Sequence, residues 1–125
     1  MRDKYVPRDI KWNITKLGYL DNEERDVVFR KVIWSIPKGR VSTYARVAEA
    51  AGYPLYHRAV ARLLRKETMT ALPWQRIVGS GGEIRLKGEF ADEQRLRLRM
   101  EGIRFEGERV NMNTYQHHLC SWEVW

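Results

Sequence analysis

The sequence predicts a mostly α-helical domain with a small β hairpin, arranged as a winged helix-turn-helix. Two observations carry that expectation. Between residues 43 and 66, two short segments with apolar residues at three-to-four spacing flank a glycine-containing turn. Past residue 70 the pattern changes to two short extended runs around Ser80-Gly81-Gly82, the size and composition of a hairpin wing. The domain is placed over residues 21–110, after a basic extension at 1–20 and before an aromatic tail at 111–125.

The elements follow in chain order. Asp21 or Asn22 is placed to cap a helix whose first turn carries Glu23 and Glu24, acids that suit the positive end of a helix. Val28, Phe29, Val32, Ile33 and Ile36 form its apolar stripe, and Pro37 and Gly39 end it. The segment Thr43–Ala51 puts Val47, Ala48 and Ala51 on one face, with Gly52 suited to the left-handed residue that closes a helix. After the turn "GYPLY", His57–Lys66 buries Ala59, Val60, Leu63 and Leu64 and leaves Arg58, Arg62, Arg65 and Lys66 opposite. A further helix is expected over Ala91–Glu101, with Leu96 and Met100 a turn apart and Gly102 at its end. "IRFEGERV" then reads as a short extended or hairpin piece, and "YQHHLCSWEVW" as irregular.

Composition bounds what such a chain does. At 125 residues, 43% hydrophobic and 31% charged, it has the material for one packed domain. Lys plus Arg number 23 against 16 Asp plus Glu, a net charge of +7 that favours a polyanionic partner: DNA, RNA or an acidic membrane surface. No apolar run reaches the ~20 residues of a transmembrane helix, and "MRDKYVPRDIKWNI" lacks a signal peptide's apolar segment. A cytoplasmic location, or a nuclear one in a nucleated cell, is the expectation. Cys120 is the only cysteine, so no intramolecular disulfide forms, and its neighbours His117 and His118 are adjacent rather than on one helical face. Neither a metal nor a cofactor is expected.

The helix His57–Lys66 is the candidate DNA-binding element. If Arg58, Arg62, Arg65 and Arg46 meet phosphates, affinity falls with salt at a log–log slope of about −3 to −5. A regulator's reading helix offers amides and guanidinia to base edges, whereas the middle of this one is Ala59, Val60 and Ala61. That smooth surface, with Arg58 projecting near its start, suits close approach to a groove better than reading a sequence.

Four segments in order, "VSTYARVAEAAG", "RAVARLL", "LPWQRIVGSGGEI" and "EQRLRLRMEGI", together resemble the DNA-binding domain of O6-alkylguanine-DNA alkyltransferases. The resemblance covers about residues 22–110 and is closest to that family's non-enzymatic relatives, the alkyltransferase-like proteins. The repair enzymes carry Pro-Cys-His-Arg, whose cysteine thiolate takes the alkyl group from the base; here the stretch is Pro73-Trp74-Gln75-Arg76. An indole offers an N–H donor and a flat apolar face, and a carboxamide takes up no proton near neutral pH. Nucleophile and activator are both missing from the place that should hold them.

The resemblance implies roles for what remains. Arg58 falls at the position of the finger that fills the gap left by an extruded nucleotide, and Tyr44 where a tyrosine helps rotate the neighbouring phosphate. Ala59, Arg62 and Arg65 complete the DNA-binding set. Pro73, Trp74, Gln75, Arg76 and Tyr44 are the expected lesion pocket, and Glu101 falls at the family's relay carboxylate, with a supporting role and no histidine to polarise. The implied partner is double-stranded DNA containing O6-alkylguanine, bound by a monomer that marks the site for nucleotide excision repair proteins. Arg85 or Lys87 is placed to close the pocket, since "EIRLKG" lacks the tyrosine of the enzymes' substrate loop. Gln75 is placed to hydrogen-bond a base edge. Two other readings stay open: a winged-helix transcription regulator, and a residual alkyltransferase using another acceptor, for which Cys120 is the remaining thiol.

Overall fold

A computed structural model describes residues 23–121. The expected basic extension and the caps at Asp21 and Asn22 lie outside the described residues. Helix α1 spans Glu23–Trp34, strand β1 Ser42–Thr43, helix α2 Tyr44–Ala50 and helix α3 His57–Lys66. A single 3₁₀ turn over Trp74–Arg76 leads into strand β2, Ile77–Val78. Helix α4 spans Glu89–Met100, strands β3 and β4 are Phe105–Glu106 and Arg109–Val110, and a short helix α5 covers Met112–Tyr115.

Helices α1, α2 and α3 form the main core. Phe29, Val32, Ile33 and Ile36 from α1 and the residues after it meet Val47, Ala48 and Ala51, and Ala59, Val60, Leu63 and Leu64 close the third side. Each of these was expected from helical spacing. Thr43 begins α2, its hydroxyl accepting the Arg46 N–H at 3.1 Å, and Gly52 ends it at φ +89°. Arg30 ties α1 to the end of α3, its Nε donating to Glu67 Oε1 at 2.8 Å and its Nη1 to Glu23 at 3.1 Å.

The β structure departs from expectation. Ile77–Val78 does not pair across Ser80-Gly81-Gly82 into a hairpin. It runs parallel to β1 instead, Ser42 opposite Ile77 and Thr43 opposite Val78. The glycine turn is closed locally by Gly79 N–H donating to Glu83 O at 2.8 Å and Gly82 N–H to Gly79 O at 2.9 Å. The hairpin in the chain is β3–β4, in "IRFEGERV", with Phe105 opposite Val110 and Glu106 opposite Arg109. It docks on the glycine turn: Val110 N–H donates to Gly82 O at 2.9 Å, and Glu83 bridges to Arg109. The turn therefore spends its backbone groups on a distant strand, a pairing that local composition does not reveal.

Helix α4 also turns a different face inward. Leu96 and Met100 are 52% and 75% exposed, while Ala91, Gln94 and Leu98 are buried. Leu98 joins Val41, Val78, Ile103 and Val110 in a second, smaller core. Nor is the segment after Val110 irregular throughout. Asn111 caps α5, its Oδ1 accepting from the Asn113 and Thr114 N–H groups, and the following chain pairs with Val41 through His117 N–H to Val41 O at 2.8 Å.

Candidate nucleic-acid pocket

A cavity of about 560 Å³ opens between α2, α3 and the loop after β2. From α2 and its cap come Thr43 and Tyr44, from α3 His57, Arg58, Ala61 and Arg65, and from the loop Ser80, Arg85 and Leu86. Trp74 and Gln94 form its inner end. The volume falls within the ~300–1,000 Å³ range of small-molecule sites, and the apolar lining with a few charged groups at the mouth is what a planar polar ring requires.

Helix α3 sets the cationic edge. Leu63 and Leu64 are 2% and 3% exposed, and that burial fixes the helix so that Arg58 and Arg65 face the opening. Arg62 is half-buried and does not line the cavity. Ala59, grouped on the sequence with the DNA-facing residues, is 6% exposed and sits in the main core; Ala61 is the alanine at the cavity. One helical position separates the two faces, and the apolar stripe already claimed Ala59.

Tyr44 lies at the first residue of α2, half-buried beside the opening. Burial raises its phenol above the ordinary value, while Arg85 and Arg65 pull it partly back. The hydroxyl thus stays protonated at neutral pH and able to donate. Arg85 lines the cavity and Lys87 does not, and at rest Arg85 Nε donates to Glu83 Oε2 at 3.2 Å. Arg85 is exposed and Glu83 half-buried, so the pair contributes little and leaves Arg85 able to turn toward an anion.

Trp74 is 1% exposed. It shows the cavity only a thin strip of indole, an inner end rather than an open stacking platform. Arg97 from α4 lies over the ring, 5.1 Å from its centroid, and is held there by Glu93 Oε2 at 2.7 Å from its Nε. The indole Nε1–H is buried and has no hydrogen-bond partner among the described residues.

Pro73, Gln75 and Arg76 do not line the cavity. The 3₁₀ turn points Gln75 and Arg76 the other way, into a polar clamp on Glu101. Gln75 Nε2 donates to Glu101 Oε2 at 2.8 Å, Arg76 Nε reaches both carboxylate oxygens at 3.1 Å, and the Gly39 N–H reaches Oε1 at 2.9 Å. Arg76 Nη1 also donates to Ile36 O at 2.9 Å, tying the turn to the chain just past α1. Burial acts to raise the Glu101 carboxyl, but Arg76, the Gly39 N–H and Gln75 outweigh it and leave it below its ordinary value. Gln75, read on the sequence as a partner for a base edge, is buried outside the cavity with one amide N–H on Glu101 and its Oε1 without a partner among the described residues. Glu101 sits behind the Trp74 turn and does not line the cavity.

Sequence reasoning missed Gln94 and Arg97. Gln94 is 1% exposed, and its Nε2 donates to the carbonyls of Gln75 and Ile77 at 3.1 and 2.8 Å, fixing the backbone on both sides of Arg76. The signal was available: Gln94, Arg97, Leu98 and Glu101 recur at helical spacing and form the face that α4 turns to the Trp74 segment.

A helix-turn-helix whose basic second helix borders a ring-lined cavity defines a DNA-binding domain with a built-in pocket. Residues 26–103 match the family of 6-O-methylguanine DNA methyltransferase, DNA binding domain, and the chain belongs to that family. A DNA base-flipping protein of Vibrio parahaemolyticus is 48% identical over 73 residues, 58% of this chain and 73% of that protein. A DNA base-flipping protein of Escherichia coli is 33% identical over 107 residues, 81% of this chain and 83% of its own. Among solved structures, Schizosaccharomyces pombe Atl1 in complex with damaged DNA containing O6-carboxymethylguanine aligns with a TM-score of 0.70 at 27% identity, covering 78% of this chain and 98% of that one. The resemblance to alkyltransferase-like proteins read from the sequence is thereby borne out.

Proposed function

We propose that this chain binds duplex DNA carrying an O6-alkylated guanine, admits the extruded base to the Tyr44–Trp74 cavity, and transfers no alkyl group. The observation that carries the reading is a base-sized cavity bordered by Arg58, Arg65 and Tyr44 whose inner end is an indole. Extrusion costs a few kcal/mol and least for a base that already pairs badly, as an O6-alkylated guanine does. In this reading Arg58 occupies the vacated stack and Tyr44 donates to a neighbouring phosphate; both line the cavity. The alkyl group gains from leaving water for the apolar lining formed by Ala61, Leu64 and Leu86.

No step of alkyl transfer is available there. Trp74 has no lone pair basic enough to attack, and Gln75 is held by Glu101 and takes up no proton. Cys120, the only thiol in the chain, is exposed and does not line the cavity. Because the base would leave as it entered, the complex itself is the output, and its reading as a mark for nucleotide excision repair follows from the family resemblance. Incubating the protein with an excess of O6-methylguanine duplex and weighing it intact tests the non-covalent step. Unchanged mass together with complex formation is expected; a gain of one methyl per chain would refute it.

A further inference from the structure

We propose that Leu55, at the tip of the turn between α2 and α3, is an apolar wedge that enters a base step beside the extruded nucleotide and sets the bend of the bound DNA. The inference rests on the proposed function for where the DNA lies. Leu55 is 90% exposed, and at φ +77° it is the one non-glycine residue in the left-handed region among the described residues. The turn requires the positive φ but not a leucine to adopt it.

The turn shows why this is unusual. Tyr56 N–H donates to Tyr53 O at 3.1 Å, closing a four-residue turn with Pro54 second and Leu55 third. Proline in the second position with positive φ in the third is a type II turn, whose third position belongs to glycine or asparagine because a Cβ there is strained. A glycine would relieve that strain and remove an exposed leucine together. A strained, exposed residue is explained by what it meets outside the fold.

The turn also holds its tip still. Tyr53 packs edge-on against Phe29 and Tyr56, with ring centroids 5.9 Å apart in each pair, and the Tyr53 N–H donates to Ala48 O at 2.9 Å. The backbone that carries Leu55 is therefore held in place, which limits what must be ordered on binding to one side chain. It lies three residues before Arg58, at most ~11 Å along the chain, and so within about three base-pair rises of the gap that Arg58 would fill. Leu55 precedes the basic helix by two residues, and Arg58 is that helix's second residue. Wedges of this kind unstack a step and kink the duplex, which lets more of the protein touch DNA.

Leu55→Gly and Leu55→Asn test the assignment, since both residues suit the turn and lack the wedge. Energy transfer between dyes at the ends of a methylated duplex reports the bend, anisotropy reports affinity, and thermal melting reports the fold. Both variants are expected to melt at or above the wild-type temperature, to bind about tenfold or more weakly, as for one leucine side chain no longer buried, and to bend DNA less. Their salt slope is expected to match wild type, because no charge is removed. Wild-type affinity and bend in both variants would overturn the wedge. A wild type that bends DNA but binds methylated and unmodified duplexes equally would overturn the lesion reading alone, the bend still deciding Leu55.

Discussion

Glu101 shows how much one side chain carries once its chemistry has been reassigned. Its carboxylate receives Gln75, Arg76 and Gly39, groups from two separate stretches of chain, and so locks the Trp74 turn against the segment that follows α1. Removing the charge leaves Arg76 largely buried without its counter-ion. Glu101→Gln is expected to cost about 2 kcal/mol or more at pH 7, measured by denaturant unfolding. The carboxyl is held below its ordinary value in the folded state, so its contribution is full above the unfolded pKa, near 4.3, and fades as pH falls through the lower folded value. Stability of wild type and Glu101→Gln should therefore converge below pH 4; an equal gap at pH 3 and pH 7 would contradict the ion pair. Trp74→Cys, by the same geometry, gains a thiol with no base beside it. Less than a tenth of that protein is expected to take up methyl from a methylated duplex within minutes, read by mass, and rapid stoichiometric uptake would show that Gln75 or another group activates it. Residue identities were legible where chemistry alone decided them, as for Trp74 and Gln75. Their directions were not, because which side chain of a 3₁₀ turn faces a cavity depends on the partners that hold its neighbours.

Elements built on their own spacing were legible in the sequence. Helix α3 runs over His57–Lys66, the bounds read from its periodicity, because four apolar residues and four cations leave one way to turn it. Helix α4 misled, since Leu96 and Met100 share a helical face as well as Gln94, Leu98 and Glu101 do. Its inner face was decided by polar partners, the Gln75 and Ile77 carbonyls for Gln94 and the Arg76 guanidinium for Glu101. The supposed wing failed for a related reason: the glycines serve a long-range docking rather than a hairpin. Gly82, at φ +85°, lies so close to β4 that a Cβ would collide with the Val110 carbonyl. Gly82→Ala is expected to lose ~3 kcal/mol from backbone strain and displacement of that strand. A melting temperature within a degree of wild type would show the contact to be soft. On α3, Arg58→Ala should lower the magnitude of the log–log salt slope by about 0.9, one phosphate's share, yet weaken binding to methylated duplex by more than that charge explains. Loss of the phosphate share alone would remove the finger role.

Across the whole molecule, charge and cavity act together. The +7 charge draws the chain to any duplex, damaged or not, and that attraction carries no information about the base. On the proposed function, selectivity arises only where the cavity between α2 and α3 admits a base that has left the stack. Net charge and the helix-turn-helix pattern were visible in the sequence; the cavity was not, because its lining is drawn from residues 43 to 94, across β1, α2, α3, the 3₁₀ turn, the loop after β2 and α4. The most direct test is an anisotropy titration of wild-type protein, at fixed salt, against one duplex made with guanine and again with O6-methylguanine at a single position. Binding at least tenfold tighter to the methylated duplex, unaffected by exchanging the flanking sequence, is the predicted result. Equal affinity for the two, or a preference that follows the flanks instead of the methyl group, would contradict the account.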